Sequence, residues 1–193
     1  HAARMDELQM WQPLSGWLGH ASPFEFSAEY RPAPAVRRFV CGTPSPIALA
    51  ALDCGVDTVL AAEPLGGMDA LRQKSLALTD LFIALLGQQC RSEHIDVKTP
   101  AEYHMRGSQV SFTLGDGAGS AVIDTEARAY ATVQALIARG VIGDFRAPGI
   151  LRFGFTPLYL RYTDVWDAVD HLANVLSTEE WRHPRFTRRS AVT

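Results

Sequence analysis

Hydrophobic spacing changes character along the chain. From Asp69 to Cys90, Leu71, Leu78, Leu81, Phe82 and Leu85 recur at helical spacing and predict one long helix with Asp69 as its N-cap. "PIALAALDCG" predicts an earlier helix, opened by Pro46 and stopped by Gly55. "HIDVKTP" and "SQVSFTL" then read as strands, the second with Val110, Phe112 and Leu114 alternating against Gln109, Ser111 and Thr113. A helix follows from Glu126 to Arg139, stopped by Gly140, then "GVIGDF", a strand from Ile150 to Phe155, and a last helix from Asp164 capped by Thr163. The apolar stripes on these helices, including Val165, Val169, Leu172 and Leu176, are core positions. From residue 91 onward this order suits a small sheet with helices on one face.

The first part of the chain has no such period. In "QPLSGWLGHASPFEF", Pro13, Gly16, Gly19 and Pro23 break any regular element, while Leu14, Trp17, Leu18, Phe24 and Phe26 are too apolar for a mobile linker. An ordered, pinned loop is expected there, with Arg37 to Cys41 as a short extended piece. Gly66 and Gly67 mark a break before the long helix.

Strand "GILRFGFTPLY" raises the chemical question. Leu151, Phe153 and Phe155 share one face and Ile150, Arg152 and Gly154 the other, so a guanidinium projects from a half-buried strand. Such a cation needs an anion, and its planar fork suits a carboxylate or phosphate. The residues leave two choices open, an internal salt bridge to Asp144 or Asp164, or a ligand.

With 193 residues, 47% of them hydrophobic, the chain can bury a full core, and its net charge of -3 gives no general attraction to nucleic acid or anionic membrane. The basic stretch "WRHPRFTRR" reads first as a solvated terminus. Cys41, Cys54 and Cys90 form no pair or metal-ligand spacing, which fits a reduced, cytoplasmic compartment and no metal site. No run of about 18 apolar residues offers a membrane span. The opening "HAARMDELQM" carries neither an initiator Met nor a leader pattern, and suggests a fragment.

Several other motifs carry little. "GDGAGS", Gly115 to Ser120, lies between a strand and a helix but fails the dinucleotide fingerprint, so a flexible loop is the better reading. His20, His94 and His104 have no defensible triad partners. Nothing local suggests that Lys74 or Lys98 is desolvated for covalent chemistry. Thr43, in "CGTPSP" just before a helix, could donate to an anion at that helix N-terminus or serve as an ordinary cap.

Taken together and in order, "QPLSGWLGH", "FVCGTPSPIALAALDCGVD", "LRQKSLALTDLFIALL", "RGSQVSF", "ALIARGVIGDFRAPGILRFGFTPLYLRYTDVWDAV" and "RRSAVT" resemble the kynureninase family. The resemblance implies the C-terminal part of a pyridoxal-phosphate enzyme of the aspartate-aminotransferase fold, an α/β protein working as a homodimer. Residues 1–68 would end the large cofactor domain, 69–90 form a connector helix and 91–193 the small domain. It implies that Trp17 and Thr43 bind the cofactor phosphate in the neighbouring subunit and that Arg152 binds the substrate α-carboxylate. The family converts L-kynurenine and water, or the 3-hydroxylated substrate, into the corresponding anthranilate and L-alanine. The Schiff-base lysine lies upstream in the family, so no catalytic residue is expected in this segment. Between "SQVSF" and "ATVQALI" the chain is longer and richer in glycine than the family pattern. A non-catalytic assembly module derived from this fold stands as the alternative. If Arg152 serves a substrate, it should face a cleft and lack a saturating protein carboxylate.

Overall fold

The computed structural model describes residues 12–115 and 124–188. The opening "HAARMDELQMW", all of "GDGAGS" after Gly115, and the last five residues lie outside them. The chain divides into two units, His1–Thr58 and Val59–Thr193.

In the second unit the alternation of the strands has become a four-stranded antiparallel sheet in the order β1-β2-β4-β3. Its strands are β1 (Ile95–Val97), β2 (Gln109–Leu114), β3 (Asp144–Arg146) and β4 (Ile150–Gly154). Pairing sets Val97 opposite Phe112, Phe112 opposite Leu151 and Leu151 opposite Phe145, while Val110 faces Phe153. These rows form the inner face, and Val110, Phe112 and Leu151 are fully buried. Helices cover this face, as expected for an antiparallel sheet with one wet side. They are α2 (Gly67–Gln89), α3 (Thr125–Ala138) and α4 (Tyr162–Ser177); α1 (Pro46–Leu60), the first α-helix among the described residues, is treated below. Phe82 of α2 is the hub, with ring centroids 5.0 Å from Phe155, 5.4 Å from Phe153 and 6.2 Å from Phe112.

Local chemistry explains the helix starts, and two differ from expectation. At α3, Asp124 caps by accepting from the backbone N–H groups of Glu126 at 3.0 Å and Ala127 at 3.2 Å. α2 begins at Gly67 rather than Asp69, because Gly66 adopts φ +102° and turns the chain, leaving Asp69 in the first turn. α4 is capped at Arg161, not Thr163. Its backbone N–H donates to Asp164 Oδ2 at 2.7 Å, and the side-chain hydrogen bond from Arg161 is the main reason that the Asp164 carboxyl is held below the usual carboxylate range.

The basic stretch near the end is not a solvated tail. Trp181 and Phe186 are buried in the core, Trp181 in a short 3₁₀ turn and Phe186 in α5 (Pro184–Thr187). The charges lie over them, Arg182 at 4.5 Å from the Trp181 ring and Arg185 at 4.3 Å from the Phe186 ring. Two buried arginines also find carboxylates, Arg128 with Glu93 and Arg106 with Asp80. Cys90 lies in this core, where burial and then Glu93 push its thiol up to about 11.

The first unit is built differently. α1 continues five residues past Gly55, since one interior glycine costs only about 1 kcal/mol against alanine. No residue of α1 is buried. Ala35–Phe39 is a 3₁₀ helix rather than part of an extended piece, with the Val40 N–H donating to Arg37 O. The loop before it is pinned mostly by polar contacts to its own backbone. Tyr30 donates to Gly19 O at 3.0 Å, Ala33 N to Gly19 O at 2.8 Å, and Ala21 N to Arg31 O at 2.7 Å.

Candidate functional site

β4 positions Arg152 by simple alternation. Its neighbours Leu151 and Phe153 are locked in the core, so the guanidinium must leave from the opposite, polar face of the sheet. In register with it are Ser111 on β2 and Asp144 on β3. Two residues along β3, Arg146 returns to the same face opposite Ile150.

Arg152 was expected to lack a saturating protein carboxylate, and a carboxylate partner is present. Arg152 Nη2 donates to Asp144 Oδ2, the internal partner that the residues alone had left as one alternative. Asp164, the other alternative, is engaged by Arg161. Yet Asp144 does not saturate the cation. The same Oδ2 also lies 3.0 Å from Arg146 Nη2 as an ion pair, so one carboxylate oxygen is shared between two guanidinium groups and the trio carries a net positive charge. The side chains are partly open to solvent, 32% for Arg152, 40% for Asp144 and 60% for Arg146. Arg152 thus looks outward from the open face with an excess of charge, held by a single-oxygen contact that a two-point ligand can exceed.

Asp144 was visible in the sequence as a candidate partner, whereas Arg146 was not. An Asp-x-Arg spacing in a three-residue strand puts both side chains on one face, and that spacing was the available signal.

In the first unit the structure brings Trp17 and the Thr43 turn together. Gly16 adopts φ +57°, and a Cβ there would lie 1.7 Å from Cys41 O, so two backbone segments touch at a place that only glycine permits. Trp17 Nε1 then lies 3.9 Å from the position of a Cβ on Gly42, the residue before Thr43. Trp17 is half exposed, with its ring edge-on to Phe24 at 5.8 Å. Among the described residues neither the indole N–H nor the Thr43 hydroxyl has a side-chain hydrogen bond. Ser45, not Thr43, caps α1, its hydroxyl accepting from Ala48 N at 3.4 Å. Two neutral donors without internal partners, beside a helix N-terminus with no acidic residue in its first turn, suit a phosphate. A depression of about 210 Å³ in the same unit is lined by Trp17, together with Gly16, His20, Ser22, Phe26 and Tyr30.

Of the remaining candidates, His20, Lys74 and Lys98 have structural partners. His20 accepts from Ser22 N at Nδ1, 2.9 Å, and its Nε2 lies 3.0 Å from Glu29 O, so it staples the loop as the Nε2–H tautomer. Lys74 Nζ donates to Pro157 O at 2.7 Å, and Lys98 pairs with Asp96. His94 and His104 are exposed. No group of three or more His, Cys, Asp or Glu arranged for a metal ion occurs among the described residues. No helix of the described residues is long and apolar enough to cross a membrane.

Comparison with known proteins decides the family. The family model described as "Kynureninase C-terminal domain" matches residues 71–172, which include α2 from Leu71 onward, the whole sheet and Arg152. The chain belongs to the kynureninase family. It is 48% identical over 182 residues to proteins named kynureninase from Burkholderia mallei (strain SAVP1) and Burkholderia pseudomallei (strain 1106a), and 45% identical to that from Pseudomonas fluorescens. Each match covers 94% of this chain, and the chain spans 40% of the length of these kynureninases. The four-stranded sheet with helices on one face is consistent with the small C-terminal domain of a pyridoxal-phosphate enzyme of the aspartate-aminotransferase class.

Proposed function

We propose that this chain is the C-terminal part of a pyridoxal-phosphate-dependent kynureninase, hydrolysing L-kynurenine or its 3-hydroxy form to the corresponding anthranilate and L-alanine. In this reading residues 1–68 end the cofactor domain, 69–90 connect, and 91–193 form the small domain of a cytoplasmic homodimer. Pyridoxal phosphate, when bound, supplies the electron sink for cleavage of the substrate's side-chain carbon–carbon bond. The lysine that carries it belongs to the upstream part of the enzyme, and the partners of Lys74 and Lys98 support leaving both out of that role.

This chain's own residues bind and orient. Trp17 and Thr43 donate neutral hydrogen bonds to the cofactor phosphate from a loop whose backbone is clamped at Gly16. Arg152 takes the α-carboxylate through its fork, and β4 limits how far that fork can move, because Leu151 and Phe153 on either side are immobilised in the core. The observation that carries the reading is the surplus positive charge of the Arg146–Asp144–Arg152 trio on the open face.

Replacing Arg152 by Gln in the full-length enzyme tests it. We expect kcat/KM for L-kynurenine to fall by the equivalent of about 2–5 kcal/mol, the cost of leaving a desolvated carboxylate without its partner. Unchanged kinetics would remove Arg152 from the substrate site.

A further inference from the structure

The division of one carboxylate oxygen between two arginines has a use beyond neutralising charge. We propose that Asp144 is an internal stand-in for the substrate carboxylate: it occupies Arg152 when no ligand is bound and is taken over by Arg146 when one arrives. The proposal rests on Arg152 being the carboxylate seat.

Three observations support it. First, Asp144 offers Arg152 a single oxygen, whereas a ligand carboxylate can meet two N–H groups of the fork, so the ligand has the stronger claim. Second, the oxygen that Arg152 would lose is already 3.0 Å from Arg146 Nη2, so Asp144 leaves without becoming an unpaired charge. Third, the side chains are partly solvated, which keeps the energy of each pair small and the exchange cheap. Register enforces the arrangement. Asp144 lies directly across from Arg152, and Arg146 lies two residues along the same short strand on the same face. Arg146 in this scheme is a positioning residue: it never needs to touch the ligand, and it works by giving Asp144 somewhere else to go.

The scheme predicts opposite signs for two neighbouring substitutions. The probe is 4-(2-aminophenyl)-4-oxobutanoate, the kynurenine skeleton without its α-amino group, titrated into the full-length holoenzyme by calorimetry. Asp144→Asn, which keeps the shape but removes the competing charge, should tighten binding by about two- to fivefold, the range for a partly exposed pair. Asp144→Ser should act in the same direction if the Asn variant is poorly folded. Arg146→Gln should weaken binding by a comparable factor, because Asp144 then remains on Arg152. Most of that loss should vanish when Arg146→Gln is combined with Asp144→Asn, since the two act through one exchange. Weaker binding in Asp144→Asn would show that Asp144 orients Arg152 rather than competing for it, and purely additive effects would remove the exchange. Arg152→Gln separates the two levels. If it leaves probe binding unchanged, the carboxylate seat itself is wrong; if it abolishes binding while Asp144 and Arg146 do not couple, only the stand-in is.

Discussion

α1 and α2 are both rich in apolar residues, and they spend them in opposite ways. α2 buries Leu78, Phe82, Leu85 and Leu86 in a core that also holds residues from all but the shortest strands. α1 buries nothing: Ile47, Leu49, Leu52, Val56 and Leu60 are all exposed. The same contrast runs through the units they belong to. In the second unit side chains pack the sheet against helices, whereas the described part of the first unit holds its shape largely by backbone contacts, with Ala33 as its one buried hydrophobic residue. Hydrophobic content alone therefore does not report a core. A periodic pattern becomes one only where other elements of the chain close over it.

Substitutions in the two regions should separate accordingly. Phe82→Ala removes the hub of the aromatic cluster and should cost about 3–5 kcal/mol in urea unfolding followed by circular dichroism. Asp124→Ala leaves the core intact but frees two N–H groups at the start of α3, and should cost about 1 kcal/mol in the same measurement. Leu52→Ala in α1 should stay within about 0.5 kcal/mol for this chain, since the side chain is already in water. A loss at Leu52 as large as that at Phe82 would mean that α1 is covered in solution, and the contrast between the helices would fail.

What the sequence made legible follows the range of the interactions involved. The alternation of β2 and β4 and the stripe of α2 are local, and they emerged on the core side, with Leu78, Phe82 and Leu85 of α2 buried and Leu71 and Leu81 half-buried. Helix ends were read less well. Thr163 looked like a cap, yet Arg161 and Asp164 form that turn, because a guanidinium and a carboxylate three residues apart bind each other as well as the backbone. Trp181 and Phe186 were hidden by the arginines around them, whose charge suggests solvent while their stems and planes cover the rings. For Arg152 the need for an anion was legible, but the choice of Asp144 over Asp164 depended on strand pairing, which brings β3 beside β4 through a turn that no periodicity encodes. The approach of Trp17 to the Thr43 turn likewise depends on a contact between Gly16 and Cys41, 25 positions apart in the chain.

β1 and β3, the two outer strands, are three residues each, and both are charged: Asp96 with Lys98 just beyond it on one side, Asp144 and Arg146 on the other. An unpaired strand is a template for another chain, and short charged borders are how sheets resist being extended. Among the described residues, the ionic pair beside Arg152 forms a charged border of this kind. Making that border apolar would endanger solubility as well as the arginine that it frames.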